Sequence, residues 1–180
     1  MILHPGASYV RVLIPEDEIL KRVELVAGQI GRAYEGQPLT IVGVLTGCLV
    51  FLADLIRRLD LPLRIALVQA SSYRGATTKG GELHIQDDLL PDLKGRHILL
   101  IDDILDTGRT LKHMVDHLRN LGTASVRTAV LLRKKGRQVV AIEPDFVGFE
   151  IPNEFVVGYG LDYDDEYRNL PFIGVLDGPA

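Results

Sequence analysis

Unbroken aliphatic runs constrain this chain more than anything else in it. "LTIVGVLT", "LRIALVQA", "HILLIDD", "VRTAVLL", "DFVGFEI" and "FVVGY" recur with turn residues between them. A strand that is apolar at consecutive positions must be covered on both faces, which is the situation of a parallel sheet between helical layers. The intervening segments carry helical spacing: "EDEILKRVELVAGQIGRAYEG" closing at Gly36, "CLVFLADLIRRL" after Gly47, and "TLKHMVDHLRNLG" closing at Gly122. Glycine at each end suits a helix terminus. Strands alternating with helices of this length predict an α/β fold with a central, mostly parallel twisted sheet flanked by helices. The 180 residues suit one domain, residues 1–180, burying roughly two-thirds or more of the surface that its unfolded form exposes.

Two stretches depart from this pattern. "YRGATTKGG", residues 73–81, has three glycines, two adjacent threonines and no apolar anchor, so it reads as a loop able to close over a ligand. After Lys135 no long helix is predicted. "PDFVGFEIPNEFVVGYGLDYDDEYRNLPFIGVL" reads as short strands and turns that form a small C-terminal hood on the main sheet.

Several function classes are disfavoured. The lone Cys48 excludes an intramolecular disulfide framework and a cysteine-rich zinc site, and favours a reducing, cytoplasmic location. No apolar run approaches the 18 or so residues of a membrane span, and "MILHPGASYV" lacks the basic start and apolar stretch of a signal peptide, so no membrane partner is expected. A net charge of −4 argues against a surface built to neutralise nucleic-acid phosphates. The basic run "RKKGR" at residues 133–137 and the acidic run "DYDDE" at residues 162–166 are of the kind that usually forms solvated faces.

The chemistry concentrates in "ILLIDDILDTGRT", residues 98–110. Asp102, Asp103 and Asp106 have the DDxxD spacing that holds magnesium against a diphosphate in isoprenoid synthases. That pattern needs a helical face, whereas here it follows aliphatics with no helical stripe. Asp106-Thr107-Gly108 matches the aspartic protease signature, but that chemistry needs two such aspartates sharing a proton and a β-rich fold. The whole stretch supports a third reading. A buried strand carries Asp102 and Asp103 to its carboxyl end, where open α/β sheets bind ligands. "DTGRT" then turns into a helix. The N–H groups freed at the helix start, the hydroxyls of Thr107 and Thr110, and the close approach permitted by Gly108 form a cradle for a phosphate monoester. The acids are left to face sugar hydroxyls and a hard cation with oxygen ligands.

This stretch resembles the 5-phosphoribosyl-1-pyrophosphate (PRPP) motif of the type I phosphoribosyltransferases. Within them the chain is similar to the hypoxanthine-guanine phosphoribosyltransferase family, through "VLTGCLVFLADL", "SSYRG", "PDFVGFEIP", "FVVGYGLDY" and "YRNLPFIGVL" in that order. The resemblance implies the type I phosphoribosyltransferase fold and purine salvage. The phosphoribosyl group would pass from PRPP to hypoxanthine or guanine, with Mg2+ as cofactor, giving IMP or GMP and pyrophosphate. It also implies roles. Asp102 and Asp103 would sit beside the ribose hydroxyls and their metal, and Asp106 would handle the purine N7 proton. Thr107, Gly108, Arg109 and Thr110 would join Asp106 around the 5′-phosphate. Lys134 would meet the 6-oxo group, Phe155 would stack on the ring, and the backbone of Val156 would meet the exocyclic edge. Asp162 would reach a second magnesium on the purine side of the site, Arg168 would contact pyrophosphate, and Ser72 and Tyr73 would begin the lid.

The chain departs from the family's common pattern twice. Leu45-Thr46-Gly47 stands where Leu-Lys-Gly is common, so backbone amides must replace a lysine toward pyrophosphate. There the family often has a cis bond, here Leu45–Thr46. Asp102-Asp103 replaces Glu-Asp, which shortens reach by one methylene without changing charge.

Other features are weaker. His113 and His117 lie four apart on a predicted helix but have no apparent third ligand. Cys48 near a helix start could be a stabilised thiolate, although a buried small residue is the simpler reading. "AGQIGRAYEG" lacks the strand-then-helix context of a dinucleotide site. A regulator retaining this fold would show an added basic surface, which the acidic composition does not. Preference among hypoxanthine, guanine and xanthine is open at this level. A sheet of this size is expected to leave aliphatics exposed, which predicts a homodimer or homotetramer.

Overall fold

A computed structural model describes residues 10–72, 83–86 and 90–176. Its elements run β1 (Val10–Ile14), α1 (Glu16–Ala33), β2 (Leu39–Leu45), α2 (Leu49–Ile56), β3 (Leu63–Ser72), β4 (Leu83–Gln86), β5 (His97–Leu105), α3 (Arg109–Asn120), β6 (Ser125–Lys134), β7 (Phe146–Ile151), β8 (Val156–Val157) and β9 (Ile173–Leu176). Six strands form the main sheet in the order β4-β3-β2-β5-β6-β7. Among the described residues, only the edge strand β4 is antiparallel to its neighbour in this sheet.

The unbroken aliphatic runs have the cause inferred for them. In β5, Leu99 and Ile101 face a core formed with α1 and α2, while Ile98 and Leu100 face a second core formed with α3. Alternate side chains leave a strand on opposite faces, so a strand covered twice is apolar at every position. The helices obey the complementary rule. Ile19, Val23, Val26, Ala27 and Ile30 make one buried stripe on α1, and Leu111, Met114, Val115 and Leu118 make another on α3, as the 3.6-residue period requires.

The strand order reverses direction between β2 and β5. From β2 the chain adds β3 on one side, and β5, β6 and β7 follow on the other. The turns leaving the carboxyl ends of β2 and β5 therefore splay apart and open a crevice, as at the switch points of open α/β sheets.

The hood differs from expectation in two respects. "FVGFEI" is β7 and completes the main sheet, because it pairs in parallel with β6 from Ala129–Phe146 to Lys134–Ile151. The hood is also not purely C-terminal. It is a three-stranded antiparallel sheet of order β1-β9-β8, with Val10 opposite Leu176 and Val156 opposite Val175. β1, "VRVLI", was not recognised in the sequence; only Ile14 of its five residues is buried. Among the described residues no helix is long and apolar enough to cross a membrane.

Candidate active site

The crevice at the switch point is a cavity of about 300 Å³. β2 brings Leu45 to its rim and β5 brings Asp102 and Asp103, while Asp106, Thr107 and Gly108 line it from the turn into α3. Gly47 and Thr110 complete that wall. Most of the residues selected from "DDILDTGRT" thus converge on one cavity.

Asp102 is 9 % exposed, and its Oδ1 accepts the N–H of Asp103 at 3.0 Å. Burial holds the Asp102 carboxyl well above the usual carboxylate range, and the neighbouring charge of Asp103 adds to this. Burial raises Asp103 as well, opposed by the N–H of Ile104 and by the charge of Arg168. Two adjacent desolvated carboxyls favour protonation unless a cation reaches them.

The start of α3 has the opposite character. Gly108 is its N-cap at φ +83°, no side chain caps it, and its first turn contains no acid. By contrast α1 begins with Glu16, Asp17 and Glu18, which neutralise the positive end of its dipole. α3 thus presents to the cavity a start with no acid in its first turn, which leaves N–H groups for an anion; α2 likewise has no acid in its first turn. Behind the turn, the Thr107 carbonyl accepts the N–H groups of Val139 and Val140 at 3.0 and 3.2 Å, which fixes the loop from its outer side.

The turn after β2 is pressed against the acids. A Cβ on Gly47 would fall inside the Asp103 carboxylate, and one on Gly160 would strike the Gly47 carbonyl. Leu45–Thr46 is a cis peptide bond, as the resemblance implied. Thr46 and Arg109 do not line the cavity wall. The loop between β8 and β9 therefore packs directly on the Gly47 turn. It carries Arg168, whose guanidinium donates to the Gly160 carbonyl at 2.9 Å and meets Asp162 at 2.8 Å and Asp165 at 2.9 Å. Tyr159 anchors the same loop to α2, its O–H donating to Asp54 Oδ2 at 2.6 Å.

Lys134 ends β6 with its side chain 11 % exposed, and its Nζ lies 3.5 Å from Asp106 Oδ2. Phe155 is 41 % exposed, so it is not core. Its ring meets Tyr163 edge-on with centroids 5.6 Å apart. Val156 is buried in β8. Ser72 is the last residue of β3, whereas Tyr73 and the loop expected to form a lid lie outside the described residues.

Sequence reading missed three contributors. Arg137 donates from Nε to Asp106 Oδ1 at 2.9 Å, Asp165 shares Arg168, and Tyr163 flanks Phe155. All three lay within charge runs read as solvated faces. The basic run is in fact divided: Arg133 pairs with Glu143, Lys135 with Glu150, and Lys134 and Arg137 with Asp106. Cys48 is fully buried, and burial, followed by the charges of Asp102 and Asp103, pushes its thiol up to about 12. That removes the stabilised-thiolate reading. Among the described residues no group of three or more His, Cys, Asp and Glu could hold a metal ion, His113 and His117 included.

Residues 15–164 match the family model of the phosphoribosyl transferase domain. The chain is 45 % identical over 166 residues to the hypoxanthine-guanine phosphoribosyltransferase of Streptococcus pneumoniae, covering 92 % of each chain. It is 44 % identical to that of Bacillus subtilis over the same length and with the same coverage. The crystal structure of a hypoxanthine phosphoribosyltransferase from Staphylococcus aureus superposes with a TM-score of 0.87 at 43 % identity, covering 92 % of this chain and 90 % of that one.

Proposed function

Because the chain belongs to the phosphoribosyl transferase domain family and is therefore an enzyme of phosphoribosyl transfer, we propose that it salvages purines, moving the 5-phosphoribosyl group of PRPP onto hypoxanthine or guanine. A bond forms between a purine nitrogen and C1 of the ribose as the C1–oxygen bond breaks. Pyrophosphate leaves with the electron pair, and the nucleoside monophosphate, IMP or GMP, remains.

One observation carries this reading: an uncapped, acid-free helix start and a buried acid pair open into the same cavity. A ligand for that cavity needs an anionic group for the helix, and hydroxyls with a cation for the acids. PRPP bears a 5′-phosphate, a diol and a diphosphate. The turn from Asp106 to Thr110 would hold the phosphate through main-chain donors and the hydroxyls of Thr107 and Thr110. Asp102 and Asp103 would face the diol.

The acid pair also fits Mg2+. Burial raises both carboxyls, and the charge of Asp103 raises Asp102 further, a cost that a divalent cation offsets. Because no cluster of three or more potential ligands could hold a metal among the described residues, the remaining ligands would be substrate oxygens, as is usual for Mg2+. Asp162, beside Arg168, would face a second ion. When bound, Mg2+ supplies Lewis-acid stabilisation of the departing pyrophosphate.

The protein's own side chains then divide the work. Asp106 takes the N7 proton, and Lys134 faces the 6-oxo group, where negative charge accumulates on deprotonation. The 3.5 Å separation of Lys134 from Asp106 supports these roles, since the two purine atoms are themselves neighbours. Phe155, exposed and flanked by Tyr163, would stack on the ring beside the Val156 backbone. Arg168, now held by Asp162, Asp165 and the Gly160 carbonyl, would turn to pyrophosphate. Main-chain N–H groups of the Leu45-Thr46-Gly47 turn would assist it.

Further readings have their own support. One continuous apolar core reaches from α1 through the main sheet to Ile173 and Val175 of the hood, which supports a single domain over residues 1–180. Exposed Leu49, Ile65 and Leu67 support a homodimer or homotetramer, testable by analytical ultracentrifugation. A single buried thiol supports a reducing cytoplasmic location. The decisive experiment is a purine panel with PRPP and Mg2+, following pyrophosphate release. Release with hypoxanthine or guanine is expected, and no release with any 6-oxopurine would refute the proposal.

A further inference from the structure

The basic run at residues 133–137 looked like a solvated patch, but its last residue turns inward. Arg137 is 46 % exposed along its side chain, yet its Nε donates to Asp106 Oδ1 at 2.9 Å. Lys134 faces the other oxygen, Oδ2, at the longer distance of 3.5 Å. The two cations are thus unequal partners of one carboxylate: Arg137 makes a hydrogen bond, while Lys134 stands off.

The backbone delivering Arg137 is fixed on both sides. Lys135 N–H donates to the Ile151 carbonyl at 3.0 Å, and Val139 N–H to the Thr107 carbonyl at 3.0 Å. Gln138 is held between Arg133 and the Ile142 carbonyl. Asp106, by contrast, sits in an open turn with its side chain 34 % exposed, and a carboxylate there rotates unless something holds it.

We propose that Arg137 is a positioning residue for the base. It grips Asp106 through Oδ1, which sets the carboxylate plane and leaves Oδ2 as the oxygen that faces Lys134 and receives the purine proton. Without that grip the carboxylate turns both oxygens to Lys134, and the pair closes on itself where the purine has to enter. The inference rests on the role given above to Asp106.

The test is a double-mutant cycle on the full-length enzyme. Arg137→Gln lowers kcat about 10-fold or more, the scale of a misplaced catalytic group, with the KM for PRPP nearly unchanged. Arg137→Lys, which keeps the charge but not the planar fork, recovers part of the loss. In an Asp106→Asn background the same Arg137→Gln change alters the rate by less than about twofold, because residues acting as one unit are not additive. Equal losses in the two backgrounds would mean that Arg137 acts on the structure generally, and no loss in the parent would remove its role; either overturns the inference. Full activity in Asp106→Asn alone would instead remove the base on which the inference rests, so the two failures are told apart.

Discussion

A methyl group at Gly108 should damage the enzyme in a way that the same methyl at Gly36 does not. Both glycines are left-handed, at φ +83° and +69°, but a Cβ at Gly36 meets nothing within 4 Å, whereas one at Gly108 lies 2.9 Å from the Val140 carbonyl oxygen and 3.1 Å from Ile142. Gly36→Ala therefore incurs only the left-handed penalty of about 1–2 kcal/mol, partly offset by about 0.4–1 kcal/mol from the stiffer unfolded chain. Its melting temperature should fall by about 2–4 °C, the response of a chain this size to about 1 kcal/mol. Gly108→Ala adds an overpacking cost of roughly 1–3 kcal/mol. Val140 cannot retreat freely, because its N–H and that of Val139 are bonded to the Thr107 carbonyl. The total of about 2–4 kcal/mol lowers the melting temperature by roughly 4–16 °C. Any relief must come from shifting residues 107–110, where the phosphate is proposed to bind, so the KM for PRPP should rise by about 10- to 100-fold, as for other displacements of this order. Scanning calorimetry and initial rates against PRPP measure the two effects. Equal melting temperatures for the two variants, or a parental PRPP KM in Gly108→Ala, would refute the argument.

Asp106→Asn should leave PRPP binding nearly intact and cut turnover by about 10²- to 10⁴-fold, the usual contribution of acid–base groups, as isothermal titration and steady-state kinetics would record. Phe155→Ala should act mainly on the purine, raising its KM by roughly 2- to 13-fold for a lost stacking contact of about 0.5–1.5 kcal/mol. Tyr159→Phe removes the 2.6 Å bond to Asp54. A hydrogen bond to a charged group contributes about 1.5–3 kcal/mol, and Asp54 keeps Arg57 and Arg58 at 3.6 Å. A melting temperature lower by about 3–8 °C is therefore expected, read by thermal denaturation without ligand.

What could be read from the sequence was whatever is local along the chain. Asp102 to Thr110 is one strand, one turn and one helix start, so its geometry follows from residue types at short spacing. The helices were legible for the same reason, since their stripes repeat every few residues. Of the contributors that escaped, Asp165 and Tyr163 lie near their partners but inside a run of charge, whereas other contacts are joined across long separations. Arg137 meets Asp106 across 31 residues, and Tyr159 meets Asp54 across 105. In each pair neither partner carries a local sign of the other, and an arginine in a basic run has the same composition whether it points to water or to a carboxylate. The roles of Lys134, Phe155 and Arg168 came from resemblance alone, since nothing in their neighbours' chemistry distinguishes them from surface or core.

The electrostatics of the crevice also explain why one substrate suits both of its halves. Asp102 and Asp103 are desolvated beside each other, which favours protons there and works against two negative charges. A few residues along the chain, α3 opens toward the cavity with no acid in its first turn. An anion alone would satisfy the helix but add charge beside the acids, and a divalent cation alone would satisfy the acids but face the positive end of the helix. A ligand that carries both removes each conflict. PRPP and Mg2+ should accordingly bind with positive coupling, and by linkage the effect must be reciprocal. The apparent affinity for PRPP, titrated at rising Mg2+, should increase beyond what complex formation in solution explains. In Asp102→Asn/Asp103→Asn, where the charge conflict is gone, that excess should vanish, and an excess of parental size in this variant would show that the acids do not create the coupling.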